Sequence, residues 1–235
     1  MSSPSVASSP TRISLVRHGQ TDWNKDGRIQ GRSDIPLNDT GREQARETGR
    51  ALRGRRFDGV YASPLKRALE TAAIIASELR MPEPTPVPGL EERSYGQAEG
   101  MTGPEIRAAF GDDRHDVPGW EDDASLLTRV LGALARLGAH HAGERVLVVA
   151  HGGVIGAVAR HLTGGERPAK GEAILNGSVH DLEVVDGELA LVNFNLEAHE
   201  LSALDAAAEL DGELDVDVDV DVDVEPQEQA AECAR

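Results

Sequence analysis

Four short stretches of this chain carry side chains able to do chemistry on an anion. Arg17, His18 and Gly19 stand together at the end of the apolar run Ile13 to Val16. A guanidinium, an imidazole and a glycine in that order offer a fixed cation, a group that can attack or carry a proton, and a backbone that lets a ligand come close. Ser63 with Arg67, the adjacent acids Glu91 and Glu92, and His151 followed by Gly152 are the other three. Alone, each is equally well explained as a structural histidine or an ion-pair residue. Their meaning depends on whether the fold brings them together.

The elements that must position them follow from periodicity. Ile13–Val16, Phe57–Ala62 and Arg145–Ala150 are short, nearly continuous apolar runs, as in parallel strands covered on both faces. Between them lie helices. Asn38 is a good N-cap, followed by Ala45, Gly49 and Leu52 at helical spacing; Ser63 and Pro64 read as a cap and first turn. Leu65, Ala68, Ala72, Ile75 and Leu79 form one apolar stripe, and Leu127, Val130, Leu134 and Leu137 another. Strands alternating with amphipathic helices predict an α/β protein, a three-layer α/β/α sandwich on a mostly parallel sheet. Glu183–Asn195 reads as a closing hairpin turned at Asp186 and Gly187. Ligands of such sheets bind beyond the carboxyl ends of the strands. His18, then Ser63 and Arg67, then His151 each follow a strand, so three distant regions are expected at one edge.

At this point a resemblance becomes specific. LVRHGQTDWN, Leu15 to Asn24, resembles the signature of the histidine phosphatase (phosphoglycerate mutase-like) superfamily. The rest of that pattern follows in order: RIQG at Arg28–Gly31, PLNDTGREQA from Pro36, SPLKRALETA from Ser63, LEERSYGQAEG from Leu90, and AHGG at Ala150–Gly153. The likeness runs from about Ile13 to Asn195.

What it implies is a phosphoglycerate mutase-like fold and a metal-independent phosphatase with His18 as the phosphoryl acceptor. Arg17, Arg67 and a protonated His151 would neutralise the phosphate dianion, helped by backbone N–H groups after Gly152 at a helix N-terminus. His18 would be neutral, with one ring nitrogen donating to a backbone carbonyl. Glu92, matched rather than Glu91 by its spacing to Gly96, would protonate the leaving oxygen and later activate water. Asn24, Gln30 and Gly31 resemble further phosphate contacts. Glu121, in PGWEDD, is placed like the family's PGGES segment, but Trp120 breaks that pattern, and a solvated loop carboxylate is the competing reading. His115, His140, His141, His161, His180 and His199 match no motif and are assigned surface or capping roles. No cofactor and no metal are implied, since neither an HxH pair nor an HExxH helix is present.

Composition bounds the alternatives. The formal charge is -17, but from Leu201 onward there are twelve Asp or Glu and a single Arg, which leaves -6 for residues 1 to 200. Such a balance gives no support to a nucleic-acid-binding role, which needs a basic face. Cys233 is the only cysteine, so neither an intrachain disulfide nor a Cys-based zinc site can form. No apolar run approaches a signal or a membrane span, and the reading is a soluble, cytoplasmic protein without membrane contact. We divide the chain into a disordered leader (1–11), one catalytic domain (12–200) and an acidic, low-complexity, disordered tail (201–235) holding the repeat Asp215–Val224. The expected partner is a small-molecule phosphate ester; a homodimer is left open. The runner-up is a 2,3-bisphosphoglycerate-dependent phosphoglycerate mutase, disfavoured because the interval Met101–Val130 is short and net acidic. A non-catalytic binding protein with an acidic recruitment tail is the reading from a different class.

Overall fold

Apolar side chains alternate across one sheet and seal it on both faces. The computed structural model describes residues 10–113, 116–185 and 187–204. Its strands are β1 (Thr11–Arg17), β2 (Gly59–Ala62), β3 (Thr85–Pro86), β4 (Arg145–Ala150), β5 (Val179–Val185) and β6 (Glu188–Leu196). They form a six-stranded sheet in the order β3-β2-β4-β1-β5-β6. The first four are parallel, and β5 and β6 close one side antiparallel as the predicted hairpin.

The helices are α1 (Asp22–Lys25), α2 (Asp39–Ala51), α3 (Lys66–Leu79), α4 (Gly103–Phe110), α5 (Asp123–His140) and α6 (Gly152–Leu162). Val146, Val148 and Ala150 of β4 pack with Leu126, Val130, Leu134 and Ile155 of α5 and α6. Leu147 and Val149 point the other way, into Leu52, Ala68, Ala72 and Ile75. Side chains along a strand alternate faces, so a continuously apolar strand needs helices on both sides. The result is the three-layer, mostly parallel sandwich expected.

Register then sets the site. Arg17 pairs with Ala150 and Ala62 with Val149, so β1, β2 and β4 end level with one another. The residues that follow them, His18, Ser63 and His151, emerge at one edge.

Three local expectations are corrected. Helix α3 begins at Lys66, not at a Ser63–Pro64 cap, because the Ser63 hydroxyl is engaged by His151 at 2.8 Å; Asp34 instead accepts from the Lys66 N–H at 2.8 Å. On α5 the buried position is Leu126, with Leu127 only partly buried. The boundary after residue 200 also fails: residues 198–204 are helical, and Leu201 is fully buried against the α2–α3 face. The rest of the tail, including Asp215–Val224 and Cys233, lies outside the described residues, as do residues 1–9. No helix among the described residues is long and apolar enough to cross a membrane.

Candidate active site

His18 is held from both ends of its ring. Its Nδ1 lies 2.7 Å from the Gly19 carbonyl, which can only accept, so Nδ1 carries the proton. The Arg67 Nε–H donates to Nε2 at 3.2 Å, so Nε2 presents its lone pair. Burial first, then the fields of Arg67 and Arg17, push His18 well below its ordinary 6.5. The imidazole is neutral, as expected.

His151 lies across from it, with ring centroids 5.2 Å apart. Burial, reinforced by Arg67, also pushes His151 well below 6.5, against the protonation that the resemblance implies. Ser63 Oγ meets its Nε2 at 2.8 Å, and Nδ1 is buried with no partner among the described residues.

Arg67 is fully buried at the start of α3 and bonded to carbonyls, with Nη1 donating to Ser33 O at 2.8 Å and Nη2 to Gly31 O at 2.7 Å. Arg17 donates through Nη1 to the Ile174 carbonyl, while its Nε is buried without a partner among the described residues. Guanidiniums set this deep, Arg67 fully buried and Arg17 half-buried, are costly to hold against carbonyl oxygens, and an anion between them would relieve that cost. Burial lowers both arginines, and the Glu92 carboxylate opposes that shift most strongly.

Glu92 is buried at the N-terminus of α6. Its Oε2 accepts from Gly153 N–H at 2.9 Å, and Oε1 accepts from Val154 N–H at 3.1 Å and Arg93 N–H at 2.8 Å. A carboxylate suits a helix N-terminus. The N–H groups of Gly153 and Val154 are therefore engaged by Glu92, which corrects the expectation that they face a phosphate. Gly152 lies against Arg17, where a Cβ would be 3.3 Å from Nε. Glu91 turns away and accepts from Gly89 N–H at 2.8 Å.

Arg17, His18, Asn24, Gln30, Gly31, Arg67, Glu92 and Gly152 line one cavity of about 450 Å³; His151 lies behind it, fully buried. Asn24 Oδ1 caps α1 through Thr21, leaving its NH₂ end to donate. Gln30 Oε1 is buried without a partner among the described residues. Gly31 anchors Arg67 through its carbonyl. Tyr95 and Trp120, stacked edge to face at 4.7 Å, help form the wall with Pro168 and Ile174. A larger recess of about 820 Å³ opens at the other end of the strands, but there Arg12 pairs with Glu183 and Arg55 with Asp181.

Several residues escaped the sequence reading. Asn176 donates to the His18 carbonyl at 2.9 Å and to Asn24 Oδ1 at 3.4 Å. Glu121 is no solvated carboxylate: it pairs with Arg129 at 2.7 Å, whose guanidinium also holds the Gly89, Glu91 and Glu92 carbonyls. His141 and His180 are buried rather than superficial. His141 bonds Tyr61 and Glu144, while burial pushes His180 down to about 3. His115 lies outside the described residues. Among the described residues no group of three or more His, Cys, Asp or Glu is arranged to hold a metal ion.

Comparison with known proteins points the same way. The uncharacterized phosphatase PhoE of Bacillus subtilis is 36% identical over 189 residues, covering 80% of this chain and 96% of its own. A metal-independent phosphoserine phosphatase of Arabidopsis thaliana is 37% identical over 205 residues, covering 83% and 85%. Among solved structures, a phosphoserine phosphatase mutant of Entamoeba histolytica in complex with phosphoserine superposes with a TM-score of 0.68 at 29% identity, covering 79% of this chain and 96% of that one. The family model of the histidine phosphatase superfamily (branch 1) matches residues 13–197. That span holds the whole sheet but for the first two residues of β1, together with all the cavity residues described above, and the chain belongs to the histidine phosphatase superfamily.

Proposed function

We propose that this protein is a metal-independent phosphomonoesterase acting on small-molecule phosphate esters through a phosphohistidine on His18. The observation that carries the reading is the neutral His18, whose Nε2 lone pair meets the fully buried Arg67, set beside the half-buried Arg17, with no carboxylate hydrogen-bonded to either guanidinium among the described residues. An ester dianion entering the cavity would take Arg67 Nε–H and Arg17 Nε–H onto its equatorial oxygens, freeing the Nε2 lone pair to attack phosphorus. The N–P bond forms as the P–O bond to the leaving group breaks, and Glu92 supplies the proton to that oxygen. In the second half Glu92 takes a proton from water, the water oxygen attacks phosphorus, and the N–P bond breaks to release inorganic phosphate. His151, behind the cavity and packed edge to face on His18, helps hold that ring in place. Asn24 and Gln30 bring further polar groups to the same cavity.

Hydrolysis is favoured over the mutase reaction. Of the arginines farther out in the cavity, Arg28 is tied to Glu105 at 3.2 Å and Arg93 to Asp123 at 2.7 Å, which leaves Arg160 alone among the described ones to meet a second acidic group on the substrate. The relative named a phosphoserine phosphatase supports the hydrolase reading. Incubation with a chromogenic aryl phosphate in EDTA tests it. Phosphate release is expected; no release from any of a panel of sugar phosphates, phosphoglycerates, nucleotides and phospho-amino acids would sink the reading. Interconversion of 2- and 3-phosphoglycerate on priming with bisphosphoglycerate would move the assignment to the mutase.

A further inference from the structure

One carboxylate near the cavity reaches none of the reacting groups yet is fully committed. Glu99 Oε1 accepts from Arg32 N–H at 3.0 Å and Tyr95 N–H at 3.3 Å, while Oε2 accepts from Ser33 N–H at 2.9 Å and the Ser33 hydroxyl at 2.6 Å. Gly31, at φ +56°, lets the carboxylate sit so close that a Cβ there would lie 2.1 Å from Oε1. The carbonyls of Gly31 and Ser33 are the two acceptors of the Arg67 guanidinium.

The Arg32 N–H and the Gly31 C=O belong to one trans peptide, so they point in opposite directions. Glu99 grips that plane from one side, and Arg67 is gripped by it on the other. The strand-like pairing of Ile29 with Met101 at 2.9 Å and of Gly100 with Ile29 at 2.7 Å already ties the loop to the 99–101 segment. It fixes Ile29, two residues before the first Arg67 acceptor. The turn is also closed by Ser33 N–H donating to the Gln30 carbonyl at 3.0 Å, and the Ser33 carbonyl also accepts from Ile35 N–H at 3.2 Å. To this backbone framework the carboxylate adds a side-chain grip on the Arg32 and Ser33 N–H groups.

We propose that Glu99 is a positioning residue: it clamps the Gly31–Ser33 turn so that its two carbonyls hold the Arg67 guanidinium with Nε directed at His18. The inference rests on the phosphatase reading of Arg67 and His18 given above. Glu99 acts through Arg67, on the phosphoryl group, and not through the leaving group.

A double-mutant cycle in the full chain tests it. Glu99→Ala should lower kcat/KM about tenfold, as expected for loss of a charge-assisted hydrogen-bond set. The factor should be the same for esters with good and poor leaving groups, and Glu99→Gln, which keeps one acceptor oxygen, should fall between. In an Arg67→Lys background the same Glu99 changes should cost less than about twofold, since the group they act through is gone. Equal cost in both backgrounds, or a cost that grows as the leaving group worsens, would overturn the clamp. A second readout needs no turnover: in protein labelled with ¹⁵N-arginine, the Arg67 Nε–H resonance should be protected in the wild type and lost in Glu99→Ala, or in Glu99→Gln should the alanine variant not fold. An unchanged resonance overturns the clamp. A wild type that hydrolyses no ester while that resonance responds would overturn the phosphatase reading and leave the clamp standing.

Discussion

His18 and His151, each buried between cationic neighbours and pushed well below 6.5, leave Arg17 and Arg67 as the carriers of positive charge in the cavity. This division of labour separates two kinds of substitution. Glu92→Gln removes the transferable proton and keeps the shape, so hydrolysis should slow by about 10² to 10⁴ for esters with poor leaving groups and far less for nitrophenyl esters; a uniform loss measured across a leaving-group series would argue against an acid. Asn176→Ala releases the His18 carbonyl and Asn24 together, and kcat/KM should fall about tenfold with melting little changed. Unaltered kinetics would show that the amide only fills space. Arg17, His18, Arg67, Glu92 and His151 could be marked in the sequence because each sits in a short motif. Asn176 could not, since it meets His18 across 158 residues of chain and no local pattern announces that contact. Nor could the depth of His151, which packing decides and a motif does not record.

The helices could be read from their stripes, and Asn38 from its place before one: it caps α2 by accepting from Gly41 N–H at 2.9 Å. The start of α3 is not legible in the same way, because the hydroxyl of Ser63, a good cap by type, is taken by His151 just beyond β4. What neither stripe nor cap reveals is how closely α2 is pressed to the loop after His18. A Cβ on Gly41 would lie 2.1 Å from the Gln20 carbonyl oxygen, and one on Gly19 would lie 2.2 Å from the Gly41 oxygen. Gly41→Ala should therefore cost about 1–3 kcal/mol in chemical denaturation, the usual range for overpacking, and should lower kcat as the loop bearing His18 is pushed away. A variant as stable and as active as wild type would mean that the loop yields without cost.

Taken as a whole, the fold was predictable because parallel strands and amphipathic helices each carry their own period. Its end was not, since Leu201 lies where the composition has already turned acidic, and only packing shows that it seals the α2–α3 face. Leu201→Ala should cost about 2–5 kcal/mol by opening a cavity, whereas removing residues 205–235 should leave melting and turnover nearly unchanged. A stable Leu201→Ala protein, or a truncation that loses activity, would reverse that division.

The molecule as a whole should also be acid-sensitive. His18, His151 and His180 are all held below 6.5 by burial, so below that pH the unfolded chain binds protons that the folded chain does not. Stability is then full above pH 6.5 and falls as pH drops from there toward the folded values, by about 1.4 kcal/mol per pH unit for each histidine. Denaturation midpoints that stay level between pH 7 and pH 5 would contradict three neutral buried imidazoles.

The most direct measurement is the mass of the protein quenched during turnover of a chromogenic phosphate ester. A single acid-labile phosphoryl group mapped to His18, absent from His18→Ala, is the expected result. Turnover with no phosphorylated protein, or labelling that persists in His18→Ala, would contradict the account.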